Sequence, residues 1–230
     1  MGKRIGKYAG LTEKDILLSL ADDVGDIQGP ISVKGAATFS STLTSTGFIT
    51  PKAGMVGTTV ARQGTDGLAG TGTAPTVTIL TMGDEVITTV KIDLTGLKKK
   101  NDIGDVIGKD GTANAYMFLY AAATHGVFHK IEISCPELPT GTNVLKDFDI
   151  ISADETNLTF DGDAAGGTNA VSLTAMNGDI ALGQTYQDLT AGQPNADGDA
   201  IYLAEGAAST GAATFTGGML VIKFYGSLTF

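Results

Sequence analysis

One strand is written into this sequence more plainly than any other element. Val86, Thr88, Val90, Ile92 and Leu94 fall on one side of it, and Ile87, Thr89, Lys91 and Asp93 on the other. A period of two sets one face against a core and turns the other toward a more polar exterior. The surrounding stretch, residues 84–134, runs on through a polar, Gly-bearing loop (KKKNDIGDVIGKDGTAN) into a long apolar run (AYMFLYAAATHGVFHKIEIS). The reading is strand, long loop, strands. Thr124-His125-Gly126 looks like the turn of a hairpin joining 115–122 to 127–134.

The rest of the chain obeys the same constraint. Glycine is abundant (32 of 230 residues), Thr recurs in nearly every segment, and charged residues are only 17%. That is β composition with many turns, too poorly charged for a solvated disordered chain. Further strands are expected at 76–81, 145–153, 158–160, 170–175, 180–182, 200–204 and 219–230. In the last, Leu220, Ile222 and Phe224 fill one face, while Met219, Val221 and Tyr225 fill most of the other. Near-continuous apolarity predicts a central strand buried on both faces, whose truncation is badly tolerated. No helix–strand alternation supports an α/β fold. The predicted class is all-β, a jelly-roll-like or β-sandwich domain over 76–230 preceded by an extended N-terminal arm over 1–75.

The arm is basic at its start (Lys3, Arg4, Lys7). Thr12-Glu13-Lys14-Asp15 resembles a capping box, and Ile16, Leu17 and Leu20 then form an apolar stripe at helical spacing. A helix over 12–21 is too short to be stable alone, so the stripe docks either on this chain or on a partner. Residues 31–50 are Ser/Thr-rich and β-prone but lack the large apolar residues of an independent core, which suits strand addition to a sheet. Residues 51–75 are Gly-rich and aperiodic, a linker or an arm ordered by neighbours.

Charge is unevenly spread. Residues 1–100 carry 11 Lys and Arg against 9 Asp and Glu, a net of +2, and residues 101–230 carry 4 against 16, a net of −12. An acidic domain repels phosphate, so nucleic acid is not an expected partner. The single cysteine, Cys135, forms no intrachain disulfide. No signal peptide is visible, since the apolar patch Ile16–Leu20 is too short, and no run reaches membrane-spanning length.

Residues with chemical potential read more simply as structure. His125 and His129, with Glu132 and Cys135 nearby, have a metal-like spacing on a helix. On a strand four residues span about 13 Å, too far for one ion. Asp161-Gly162-Asp163 and Asp197-Gly198-Asp199 invite a calcium reading but lack the rest of a calcium loop, and Asp-Gly is turn chemistry. Asp147-Phe148-Asp149 is expected to point its carboxylates to opposite faces of a strand. Lys98-Lys99-Lys100 reads as a solvated loop tip partly neutralised by Asp102 and Asp105, with a phosphate or partner site as the alternative. No phosphate-binding loop and no Gly-x-Ser-x-Gly elbow is present, so no catalytic, metal or cofactor site is assigned.

Two regions carry a likeness to known proteins. ISVKGAATFSSTLTSTGFITP (31–51) resembles the Gly-Ala-Thr-Phe strings of phage fibre and arm segments. EVITTVKIDLTGLKKKNDIGDVIG with the downstream ANAYMFL, and the ending GGMLVIKFYGSLTF, are similar to β-rich virion proteins of tailed bacteriophages. The resemblance implies a non-enzymatic virion structural protein without a cofactor, made in the host cytoplasm and carried on the capsid surface. Its first implied role is a capsid decoration (cement) protein, a homo-oligomer such as a trimer. Lys3, Arg4, Lys7, Ile16, Leu17 and Leu20 would contact the major capsid protein or other virion proteins. A tail or head fibre component is the alternative, as is a carbohydrate- or receptor-binding β module.

Overall fold

The computed structural model describes residues 58–60 and 66–228, except 101, 145, 155 and 208–210. The helix expected over 12–21, the stretch 31–51 and the arm residues Lys3, Arg4, Lys7, Ile16, Leu17 and Leu20 lie outside the described residues.

In chain order the elements begin with β1 (Thr58–Val60), β2 (Thr76–Met82), β3 (Glu85–Asp93), β4 (Lys98–Lys99) and β5 (Tyr116–Leu119). A one-turn helix α1 (Ala122–His125) leads to β6 (Val127–Gly141), β7 (Phe148–Ala153) and β8 (Val171–Ala175). Then come β9 (Thr185–Asp188), β10 (Ala200–Glu205) and β11 (Ala213–Ser227). They form two antiparallel sheets: a seven-stranded one ordered β1-β2-β3-β11-β6-β9, with β4 also on β11, and a four-stranded one ordered β5-β10-β7-β8. Their facing sides enclose one core, to which β3 gives Val90 and Ile92, β11 gives Leu220, Ile222 and Phe224, and β10 gives Ile201 and Leu203. The fold is a β-sandwich, as the strand count and turn signals predicted.

The alternating strand behaves as its pattern demands. β3 pairs with β2 through a tight turn in which Gly83 takes φ 64°, and Val86, Val90 and Ile92 are fully buried. Thr88 joins them on the inner face because its hydroxyl has a partner there, His125 Nδ1 at 2.9 Å.

The expected hairpin at 124–126 is not one. β5 belongs to the smaller sheet and β6 to the larger, and α1 carries the chain across the sandwich. Packing overrides the turn signal here. Phe118 and Phe128 approach Phe224 from the two sides, with ring centroids 5.1 and 5.2 Å away. Gly126 (φ 71°) makes the corner possible, since a Cβ there would lie 2.8 Å from the backbone of Gly226.

The C-terminal strand is central, as expected, but it is not buried on both faces. Leu220, Ile222 and Phe224 are buried, while Met219, Val221, Lys223 and Tyr225 opposite them are only half-buried. The doubly buried strands are β7 and β10, every residue of which is buried. Their second face carries Ile151, Ala153, Ala200, Tyr202 and Ala204, and it packs under Val106, Ala115 and Ala164 of the long connections. The loop after β4, which reads as polar, thus supplies a third layer. Its Ile107 faces the main core and its Val106 the second one.

Other expectations shift at their edges. Residues 158–160 and 180–182 are not strands; Leu158 and Ile180 are plugs, the first against the second cluster and the second in the main core. β4 and β9 are strands with too few apolar residues to announce themselves. Leu68, from the aperiodic Gly-rich segment, is 1% exposed and belongs to the main core. Pro136 and Pro139 fit within β6 because β9 covers only residues 131–134 of its free edge.

Candidate functional site

The densest charge in the interior gathers where β10 ends. Lys99, from β4 on the larger sheet, points Nζ at Glu205 Oε2 of the smaller sheet, 3.4 Å away. The two residues are 1% and 2% exposed. Asp105 from the covering loop is also buried, and its backbone carbonyl accepts the Glu205 amide at 3.0 Å. Burial pushes the Glu205 carboxyl up against the opposing pull of Lys99, and it pushes Asp105 up as well.

Beside this group two further carboxylates share one face. Asp147 and Asp149 are two residues apart and both converge on Gly206. A Cβ at Gly206 would lie 2.4 Å from Asp147 Oδ1 and 2.8 Å from Asp149 Oδ1, so a side chain there would displace these carboxylates. This overturns the expectation of opposite faces. In an extended chain side chains alternate, so residues i and i+2 lie on the same side. Asp147 Oδ2 accepts the Gly178 amide (3.1 Å) and Asp149 Oδ1 the Met176 amide (3.1 Å), which pins the turn after β8. Burial raises both acids, Asp149 to about 6, and each is raised further by a neighbouring carboxylate. Among the described residues, no group of three or more His, Cys, Asp or Glu side chains converges as a metal site.

The Lys98-Lys99-Lys100 run is not a solvated loop tip. Lys98 pairs with Asp110 (2.7 Å), Lys100 with Asp161 (3.0 Å), and Lys99 turns inward. Alternation along β4 explains it: the middle lysine of an extended triplet must face the other way from its neighbours.

The Asp-Gly segments serve as turns. Asp163 Oδ1 accepts the Gly166 amide (2.7 Å), and Asp161 sits at φ 66°. Asp197 Oδ1 accepts the Ala122 amide (2.7 Å), and Asp199 Oδ2 accepts those of Asn195 (2.9 Å) and Ala196 (3.2 Å). His125 and His129 have separate surroundings. His125 is buried against Phe118, and burial lowers it to about 4; His129 Nδ1 lies 3.5 Å from the Ser227 hydroxyl. Cys135 is buried, its thiol pushed up by burial.

Two surface features remain. On the outer face of the larger sheet Glu132 accepts from Tyr225 (2.7 Å), Lys130 (2.7 Å) and Gln187 (2.8 Å). Burial opposes ionisation of Glu132, but the Lys130 and Tyr225 contacts prevail and hold it low, while burial and Glu132 push Tyr225 up to about 12. A groove of about 410 Å³ opens at the start of β11, lined by Lys98, Phe160 and Thr142, Thr214 and Thr216.

Sequence reasoning did not foresee the buried acidic group. The available signal was a charged residue ending an otherwise apolar strand beside glycine, AIYLAEG. No family model, curated protein or solved structure matches this chain.

Proposed function

We propose that this protein is a non-enzymatic structural component of a virion, a decoration protein that binds and stabilises the head shell of a tailed phage. The observation that carries the reading is β1. Thr58–Val60, from the Gly-rich segment ahead of the sandwich, adds as an edge strand on β2, pairing with Ile79, Thr78 and Val77. A segment that joins a sheet by backbone hydrogen bonds follows the strand-addition mode by which arms tie neighbouring subunits together. The buried carboxylates Asp147, Asp149 and Asp199 support a structural role, since each accepts backbone amides of turns. Many copies on a lattice would stabilise the shell by linkage.

The test is solution mass by light scattering, and co-sedimentation with empty heads of the phage that encodes the protein. Binding at a fixed high stoichiometry, weakened by replacing Lys3, Arg4 and Lys7 with Ala, is the expected result. A stable trimer that ignores heads overturns it in favour of a fibre. A monomer that ignores heads but binds glycans through the Phe160 groove overturns it in favour of a carbohydrate-binding module.

A further inference from the structure

Lys99 and Glu205 make a poor ion pair. Their 3.4 Å separation exceeds the 2.7 Å of the exposed pair Lys98–Asp110 and of the partly buried pair Lys130–Glu132. Two charges withdrawn from water are stabilised only when geometry is good and every remaining polar atom is satisfied. Here Glu205 Oε1 is buried without a partner of hydrogen-bonding geometry, although the Lys100 amide faces the same carboxylate. Burial raises the Glu205 carboxyl, and a proton passed to it from the neighbouring ammonium leaves an amine beside a carboxylic acid. Nζ stands 3.4 Å from Oε2, which is bonded to the carboxyl carbon it would attack.

We propose that Lys99 and Glu205 condense into an intramolecular isopeptide bond. Nζ, its proton passed to the carboxylate, attacks Glu205 Cδ, and the carbonyl electron pair moves onto oxygen, where the Lys100 amide donates to the same carboxyl group. Nζ then gives up a proton, and one carboxyl oxygen takes a proton and departs as water. The N–C bond forms, the C–O bond breaks, and nothing is oxidised or reduced. Asp105 is the candidate proton carrier between the attacking nitrogen and the departing oxygen; its buried carboxyl lies close enough to raise Glu205. Exclusion of water from the site favours the amide and protects it from hydrolysis.

The consequence suits this chain. Its single cysteine provides no intrachain disulfide, yet the bond would tie β4 to β10, hence one sheet to the other, across 106 residues of sequence. A covalent loop of that length constrains the unfolded chain strongly. The inference is independent of the virion reading and holds for any exposed β module.

The test is the intact mass of the full-length protein under denaturing conditions, followed by peptide mapping. The expected mass is one water below that of the sequence, with a branched peptide joining the Lys99 and Glu205 segments. Cyclisation at an Asp-Gly step, such as Asp110-Gly111, loses the same water, but it yields no branched peptide and reacts with hydroxylamine. The double variant Lys99→Met with Glu205→Gln keeps a neutral, shape-conserving pair and should show its full sequence mass. Asp105→Asn should accumulate the linked form at least about tenfold more slowly. Full sequence mass in the wild-type protein after days in the folded state overturns the proposal, as does a water loss confined to an Asp-Gly step.

Discussion

The two sheets of this sandwich are built on different terms. The larger has one buried face, and its central strand β11 leaves Met219, Val221 and Tyr225 half-buried on the other. The smaller has only four strands, but its middle pair, β7 and β10, is buried on both faces because the loops carrying Val106, Ala115 and Ala164 fold over it. Strand apolarity therefore does not report burial. β11 carries more large apolar side chains and is the less enclosed strand, whereas β10 is enclosed because Ala200 and Ala204 leave room for a covering layer.

Core truncations test that contrast most directly. Phe224→Ala, on the inner face of β11, should cost about 3–5 kcal/mol, and Val221→Ala on the outer face well under half of that. On β7 the asymmetry should vanish: Ile150→Ala and Ile151→Ala, on opposite faces, should each cost about 2–5 kcal/mol. Denaturant midpoints of the four variants measure this. A cheap Ile151→Ala would mean that the loop layer is not packed as it stands.

Acid should also separate the sheets, with opposite signs. His125, at the corner above the larger sheet, is lowered to about 4 by burial. Its contribution is present above the unfolded value near 6.5 and is lost as pH falls through 4, about 3 kcal/mol in all. Asp149, on the smaller sheet, is raised to about 6. Its contribution is present below the unfolded value near 3.8 and is lost as pH rises through 6. Relative to wild type, His125→Asn should gain stability between pH 7 and 4, and Asp149→Asn should lose it over the same range. Urea titrations at several pH values check both, and parallel curves for the two variants would show the assignment to be wrong.

The loop layer itself is a close fit. Gly108 lies so near its neighbours that a Cβ would stand 2.8 Å from the Ala115 side chain and 3.0 Å from the Gly67 carbonyl. Gly108→Ala should cost about 1–3 kcal/mol by overpacking, with the loss read from thermal midpoints. The same change at Gly111, which has open space but φ 70°, isolates backbone strain from crowding. Equal costs at the two positions would argue that crowding adds nothing at Gly108.

What the sequence made legible follows from range. β3 was readable because alternation is local, and the sandwich class because turns and β-formers are local too. The hairpin at 124–126 was misread because only the meeting of Phe118 and Phe128 on Phe224 decides that the chain crosses between sheets. The buried group of Lys99, Glu205, Asp147 and Asp149 was hidden for the same reason. Lys99 and Glu205 are 106 residues apart, and nothing near Lys99 in sequence says that it turns inward except its place in the middle of an extended triplet. The Asp147–Asp149 pair was within reach, since residues two apart on a strand share a face.

The outer face of the larger sheet gives the smallest effect. Tyr225 donates to Glu132 at 2.7 Å and lies under the Lys130 ammonium, 4.4 Å from its ring centroid. Tyr225→Phe deletes that donor but leaves Glu132 with Lys130 and Gln187. Glu132 is buried and Tyr225 half-buried; if solvent reaches the place of the lost hydroxyl, the cost should stay below about 1 kcal/mol. A buried hydroxyl deleted without replacement would leave a carboxylate oxygen unsatisfied, at about 1–3 kcal/mol. Chemical denaturation of Tyr225→Phe thus reports whether this face meets water in the isolated protein. A cost above about 2 kcal/mol would show it covered, and the difference between the two sheets would then lie in what covers each rather than in whether they are covered.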